Sequence, residues 1–300
     1  MKRIVLAALL VGAIAVAVFP QEYEGTIVFQ GGHGAKALGM GGAFCALADD
    51  ATGALWNPAG LTFVGPWIGG ASSNLSLNPD EALGYQYVSG GFTYEGYAIG
   101  LGWANVTAGP LYSTSMYLGT VGIEIAGFGS VGVNVKYYSE TIEDESANGF
   151  GFDVGLLFPI TDQFTVGIVA KDLATSLWDQ TVTPMCTAGV VAKLLDGAMT
   201  VAADVDLAGM GFSLAGAKAG LEFVLIENLA VRAGVVFPEA DFSSYYFTVG
   251  AGLGVGDLSI DAAYVLRPEP GESLVLSATF LLGGFFAPPA EEQPEEQPTE

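Results

Sequence analysis

The chain has 300 residues, 51% of them hydrophobic and only 14% charged, with 43 glycines and a formal net charge of -23. That charge excludes nucleic acid as a partner, because phosphate recognition depends on cationic neutralisation. Ordinary soluble domains carry about 25% charged residues, so part of this surface faces something other than water. A helical membrane bundle would need several apolar runs of about 20 residues, and only one long run is present, at the N-terminus.

That run opens the chain. Lys2 and Arg3 precede the apolar stretch Ile4 to Val18, in which Ala13, Ala15 and Ala17 offer A-x-A-like cleavage sites. The pattern predicts a cleaved secretory signal peptide over residues 1–20, and no cysteine follows to mark a lipoprotein.

Residues 21–65 read as a small plug. Within them Gly34 to Leu61 spells GAKALGMGGAFCALADDATGALWNPAGL. Gly39, Gly41 and Gly42 permit close backbone packing or left-handed dihedrals, and Asn57-Pro58 marks a chain reversal. A phosphate-binding reading fails because no GxxxxGK is present. The adjacent carboxylates Asp49 and Asp50 suit a capped or hydrogen-bonded turn. The single histidine, His33, has no Ser/His/Asp motif around it, so no catalytic residue is assigned and an enzyme is not expected. Cys45 and Cys186 lie far apart with no CxxC, which supports neither a metal site nor a disulfide framework, and no cofactor is expected.

Residues 66–286 break into segments with period-2 alternation. In one, Val131, Val133, Val135 and Tyr137 alternate with Gly132, Asn134 and Lys136; in another, Tyr97, Ile99, Leu101 and Trp103 alternate with Ala98, Gly100, Gly102 and Ala104. One face suits lipid and the other is small or polar. Only helices and closed barrels satisfy every backbone group in a bilayer, so the fold class is all-β, a transmembrane antiparallel β-barrel. Strands are expected at 66–77, 81–91, 96–106, 112–125, 129–140, 148–158, 164–172, 184–195, 198–208, 214–225, 229–237, 244–255, 258–267 and 272–284, about 14 in all, with boundaries good to about two to four residues.

The connections alternate in length. Short turns are expected near Tyr94-Glu95, Ala126 to Phe128, Pro159 to Gln163, Asp196-Gly197, Ile226 to Asn228 and Gly256-Asp257. Longer links are expected at Glu140 to Ala147, Asp172 to Thr183, Ala208 to Ser213, Pro238 to Ser243 and Pro268 to Gly271. Outer-membrane barrels have short periplasmic turns and longer external loops, so a periplasmic N-terminus puts the short turns on the periplasmic side.

Turn centres fix register. A hairpin centred near Glu227 sets Glu222 opposite Arg232, and a link centred near Gly211 sets Asp204 opposite Lys218, two charge pairs on the lumen face. Inward Leu157, Val169 and Val236 are candidates to line an apolar pocket. Glu140, Glu143, Asp144 and Glu145 form an external acidic loop. The stretch 287–300, rich in Pro and Glu without large apolar residues, predicts a disordered acidic tail.

The runs LGMGGAF at 38–44, ALADDA at 46–51 and WNPAGL at 56–61 resemble the N-terminal region of the FadL/TodX long-chain fatty-acid transporters and the related PorV/PorQ outer-membrane proteins. The resemblance is specific over Gly34 to Leu61 and architectural beyond it. It implies an N-terminal hatch folded into the barrel, with Asn57, Pro58 and Ala59 as the family's NPA element. The expected function is passive transport of hydrophobic small molecules across the bacterial outer membrane, with outer-membrane lipid and a hydrophobic ligand as partners. The alternative is a PorV/PorQ-like role in protein secretion, partner binding or structure, with a secretion-system or periplasmic protein as partner. The external links are shorter than those of the fatty-acid transporters, which weakens the fatty-acid reading.

Overall fold

The computed structural model describes residues 29, 32–75, 83–209, 211–267 and 272–283. The expected signal peptide, the acidic tail and the link Pro268 to Gly271 lie outside the described residues.

Fourteen antiparallel strands close into one barrel. They are β1 (Trp67–Leu75), β2 (Leu83–Tyr94), β3 (Tyr97–Ala108), β4 (Tyr112–Ile125), β5 (Gly129–Ile142), β6 (Glu145–Pro159), β7 (Phe164–Leu173), β10 (Met185–Leu194), β11 (Met199–Ala208), β12 (Ser213–Ile226), β13 (Leu229–Phe237), β14 (Tyr246–Val255), β15 (Leu258–Leu266) and β16 (Ser273–Leu281), with a two-stranded hairpin, β8 (Ser176–Leu177) and β9 (Gln180–Thr181), between β7 and β10. The first and last barrel strands pair from Trp67 opposite Leu281 to Leu75 opposite Ser273, which removes both sheet edges. No backbone row is then left unpaired toward lipid.

The alternation decides which face each residue takes. Ile99, Leu101, Val121, Val135, Leu274 and Leu276 lie exposed on the outside, whereas Ala98, Asn134, Lys136 and Val275 are buried inside. Leu101 is 72% exposed, a cost in water and a gain in hydrocarbon. Aromatic residues mark the two ends of this apolar belt. Tyr94 and Tyr97 stand at one end, Phe242, Tyr245 and Phe247 at the other, as the interfacial girdles of membrane barrels do.

Two connections differ from expectation. The link expected over Glu140 to Ala147 is a tight turn, because β5 runs on to Ile142 and β6 begins at Glu145. Glu143 takes a positive φ of 54° there. Acidic residues have low strand propensity, but here every backbone group of the extended ladder finds a partner, and pairing prevails. Glu140 is consequently no loop residue. The second difference is the Asp172 to Thr183 link, which carries β8 and β9. The Asp196-Gly197 turn takes the positive φ that its sequence favours, within a link one residue longer on each side.

The hatch fills the lumen. Among the described residues it includes a helical turn, α1 (Ala35–Gly39), and the 3-10 segments Gly53–Leu55 and Pro58–Phe63. Gly41 and Gly42, at φ 69° and 75°, end α1 and turn the chain back. Its backbone lies against the wall wherever the wall carries an inward glycine. A Cβ at Gly220 would collide with the Met40 carbonyl, at Gly234 with the Gly41 amide, at Gly132 with Pro58, at Gly155 with the Asn57 side-chain oxygen, and at Gly167 with the Cys45 carbonyl. These glycines come from five strands, so the docking ring runs round much of the circumference.

Gly155→Val and Gly234→Val are therefore expected to displace the hatch and lower unfolding stability by about 1–3 kcal/mol. Gly119→Val, on the lipid side with only the Val135 carbonyl at 4.0 Å, is expected to change it little. Denaturant titration of the refolded barrels distinguishes the two, and equal effects would remove the docking ring as the explanation.

Candidate functional site

The hatch is held by hydrogen bonds to the wall from several directions. Asn57, completely buried, caps its 3-10 segment by accepting from the Ala59 amide at 3.1 Å. Its Nδ2 donates to the Cys45 carbonyl at 2.9 Å within the hatch and to the Leu156 carbonyl of β6 at 3.1 Å. Pro58 occupies the first position of the segment, where no amide is needed. Ala59 offers its carbonyl to Ser130 of β5 at 2.8 Å. On the opposite wall Thr248 of β14 accepts from the Gly41 amide at 3.0 Å and donates to the Gly39 carbonyl at 3.2 Å.

The structure places the two carboxylates of the hatch motif differently. Asp50 accepts from the Thr52 amide and hydroxyl at 2.8 and 2.7 Å, closing an Asx turn. Asp49 pairs with Lys36 at 2.8 Å. Burial pushes the Asp50 carboxyl up to about 6, against the pull of Lys36.

The lumen charges fall into three clusters. Arg232 of β13 bonds Glu222 of β12 through Nε at 2.6 Å and Asp261 of β15 through Nη1 at 2.7 Å. Asp204 stands opposite Lys218 in register, but the expected pair between them gives way to Lys218 with Asp206, at 2.6 Å. The reason is the hatch. Asp204 accepts the Phe44 and Cys45 amides, both at 2.9 Å, and thereby satisfies two buried donors that have no helix to serve them. The third cluster joins β5, β6 and β7: Lys136 meets Asp153 at 2.6 Å and Asp172 at 2.5 Å, Tyr138 donates to Asp172 at 2.6 Å, and Asn134 donates to Asp153 at 2.8 Å.

Above the hatch, on the side of the longer links, the mouth divides in two. One half is covered by the β8–β9 hairpin, which folds inward. Trp178 in its turn donates to Glu140 at 2.6 Å, and Tyr112 donates to the other oxygen of the same carboxylate at 2.7 Å. Ser176 and Thr175 fit because Gly149 and Gly151 leave room for them. The other half is a cavity of about 280 Å3, floored by Gly32, His33, Leu38 and Gly41 of the hatch and walled by Ser73, Tyr85, Val236, Tyr246, Thr248, Val265, Arg267, Ser273 and Val275.

Of the residues expected to line a pocket, Val236 does so, whereas Leu157 and Val169 are packed into the interior. They are inward, as alternation requires, but lie where the hatch fills the space. The residues that sequence reasoning missed are His33, Tyr85 and Arg267. Only the unusual sight of inward polar residues near strand ends signalled them, and which strands flank the mouth depends on closure.

Two predictions follow from these contacts. Lys136→Met leaves Asp153 and Asp172 buried without their cation, and the barrel is expected to lose about 3–5 kcal/mol in denaturant titration. For Asp50, an unfolded carboxyl near 3.9 is charged well before the folded one near 6. The penalty on folding is thus absent at low pH, grows from about pH 4 to about pH 6 and stays constant above. At about 1.4 kcal/mol per pH unit, Asp50→Asn is expected to gain on the parent by roughly 3 kcal/mol across that window, measured as the difference in unfolding free energy at pH 4 and pH 7.

No family model and no curated protein sequence matches the chain. Solved structures do. The Ralstonia pickettii toluene transporter TbuX superposes with a TM-score of 0.65 at 12% identity over 85% of this chain and 100% of that one. The monoaromatic hydrocarbon channel CymD gives 0.66 at 16% identity over 84% and 98%, and the Pseudomonas putida toluene transporter TodX gives 0.61 at 12% identity over 87% and 99%. The likeness spans nearly the whole length of each neighbour, and the chain therefore has the fold of these proteins.

Proposed function

We propose that this protein is a bacterial outer-membrane barrel through which small hydrophobic molecules cross passively, without a chemical step. The observation that carries this reading is the cavity at the mouth, whose floor is the hatch itself, with Leu38, and whose wall includes Val236, Val265 and Val275. Concave, mainly apolar sites with a few convergent polar groups are where small ligands bind. The likeness to a toluene transporter and a monoaromatic hydrocarbon channel supports the same class of cargo. The cleaved signal peptide expected over residues 1–20 supports the same location.

The walls impose a condition on passage. β2, β3 and β4 pair along their lengths without a register break, whereas β6–β7, β11–β12 and β12–β13 each carry one. The hatch floors the cavity, and a molecule resting there advances along the axis when the hatch shifts. The hatch is attached to the wall both by separate hydrogen bonds and by one apolar cluster that Met40, Phe44, Trp56 and Leu61 of the hatch share with Met116, Leu118 and Leu157 of the strands.

The test compares the intact chain with a variant lacking Gly34 to Leu61 in proteoliposomes. The intact protein is expected to admit toluene while conducting ions poorly, and the deletion to conduct ions strongly in planar bilayers. If both forms insert as heat-modifiable barrels and neither admits toluene nor conducts, the transport reading fails.

A further inference from the structure

Among the described residues, left-handed backbone at non-glycine positions is concentrated in the segment that carries the β8–β9 hairpin. Asp172, Ala174, Trp178 and Asp179 take φ of 58°, 53°, 55° and 59°. A positive φ is an outlier for a side chain as bulky as that of Trp178. Such strain persists only where the surroundings hold it, and it gathers at clamps and switches. The contacts that hold this segment are few and belong to the barrel.

The hairpin has little stability of its own. Its ladder is Ser176 opposite Thr181 and Leu177 opposite Gln180, and an isolated two-stranded hairpin is marginal in water. At its tip Trp178 donates through Nε1 to Glu140 of β5 at 2.6 Å, while Tyr112 of β4 donates to the other oxygen at 2.7 Å and so orients the carboxylate. Beneath the tip, Leu177 packs against the core and Val182 is buried within it. On the wall side, the Ser176 carbonyl rests on Gly149 and the Thr175 hydroxyl on Gly151, where any Cβ would displace them. The hairpin thus has a latch at its tip and a seat on β6.

Its two ends, by contrast, are anchored. Asp172 is completely buried, accepts from Lys136 and Tyr138, and donates its amide to Asp153. It lies where the β6–β7 register shifts between Phe152 and Val154, the kind of irregularity that turns a strand out of its ladder. At the other end Pro184 has a ring-fixed φ, and its carbonyl accepts from the Gly209 amide at 2.9 Å. Ala174 stands between the anchored Asp172 and the hairpin, so rotation there lifts the hairpin while the barrel ladder stays whole. Phe29 of the hatch stacks on Tyr138 and meets Tyr85 edge-on, which divides the space under the hairpin from the open cup.

We propose that the β8–β9 hairpin is a hinged lid, latched by Trp178 on Glu140 and seated on Gly149 and Gly151, which opens the covered half of the mouth to small polar solutes from the external side. The groups it uncovers are Lys136, Tyr138 and Asp172, a polar lining in contrast to the apolar wall of the cup. The inference rests on the transport reading for its purpose, since it gives the barrel a second entrance controlled apart from the first. Release of a short, weakly paired unit from fixed ends is the form that local opening takes in folded proteins.

Val182→Cys, in a background carrying Cys45→Ala and Cys186→Ala, places a single thiol under the lid. The refolded full-length barrel is treated with a small cationic thiosulfonate, and Asp179→Cys in the same background, on the exposed turn, sets the rate of an open site. The thiol at position 182 is expected to react far more slowly than the one at 179. Glu140→Ala and Trp178→Phe are each expected to speed it roughly tenfold or more, the factor associated with a hydrogen bond to a charged group. Gly149→Ala leaves every latch atom in place but unseats Ser176, and is expected to speed it as well. Hydrogen exchange over residues 174–183 reads the same opening without added cysteines, and heat-modifiable migration identifies the variants that have folded.

A thiol at 182 that reacts as fast as one at 179 without any latch substitution would overturn the proposal, because the hairpin would then not close. A folded Glu140→Ala or Gly149→Ala barrel that keeps the slow thiol rate and the slow exchange would overturn it too, because the hairpin would then be fixed wall. Toluene uptake by vesicles separates the lid from the broader reading. If toluene enters but the thiol is indifferent to latch and seat, the lid fails and transport stands. If the thiol responds as expected but toluene does not enter, the lid stands and transport fails.

Discussion

A fourteen-stranded barrel encloses more space than its inward side chains close by themselves, and here the remaining space is filled by backbone. Peptide groups approach a strand that closely only where the strand carries no Cβ. The inward glycines at 132, 155, 167, 220 and 234 supply that condition, and each faces a hatch atom that a methyl group would displace. Everything else in the lumen depends on this close approach. It lets Thr248 reach the backbone on either side of Met40, lets Asp204 reach two successive amides, and sets the hatch at the depth where its upper surface floors the cavity.

Once the hatch lies against the wall, its polar groups must be satisfied from the wall, since no helix or sheet of its own is long enough to do so. The inward hydroxyls, amides and carboxylates of the strands do this work. Asn57 serves both parties, bonding the hatch at Cys45 and Ala59 and the wall at Leu156. The lumen cations are correspondingly committed. The chain has nine Lys and Arg against 32 acidic residues, and Lys136, Lys218 and Arg232 spend their charge on internal carboxylates. Arg267 differs because it stands at the mouth, where it lies over the Tyr246 ring.

The division of the mouth follows from the same economy of space. Glu140 gathers Tyr112 and Trp178, drawing the β8–β9 hairpin over one half, where Gly149 and Gly151 make room. The other half has Tyr85, Tyr246 and Arg267 in place of glycines, and a cup remains. An open cup and a sealed region thus share one opening, distinguished by the side chains at the strand ends.

The barrel was legible because its strands alternate. Val133 and Val135 against Asn134 and Lys136 can satisfy lipid and lumen in only one way, and turn centres alone set Glu222 opposite Arg232 and Asp204 opposite Lys218. The Glu140 to Ala147 link was misread because the local low strand propensity of acidic residues yields to a ladder whose partner strand is already in place. Asp204 could not be assigned its hatch amides from the sequence, since the contact joins residues 160 positions apart and is decided by how deep the plug sits. For the same reason His33 seemed without consequence beside its neighbours in the chain. The sequence by itself determined the strands, their faces and their order, all of which are set by period and turn chemistry over a few residues. Only the tertiary structure decided which inward side chains the hatch would consume and which, like His33, Tyr85 and Arg267, it would leave facing an open cavity, because that depends on closing the barrel and bringing together groups from its two ends of chain.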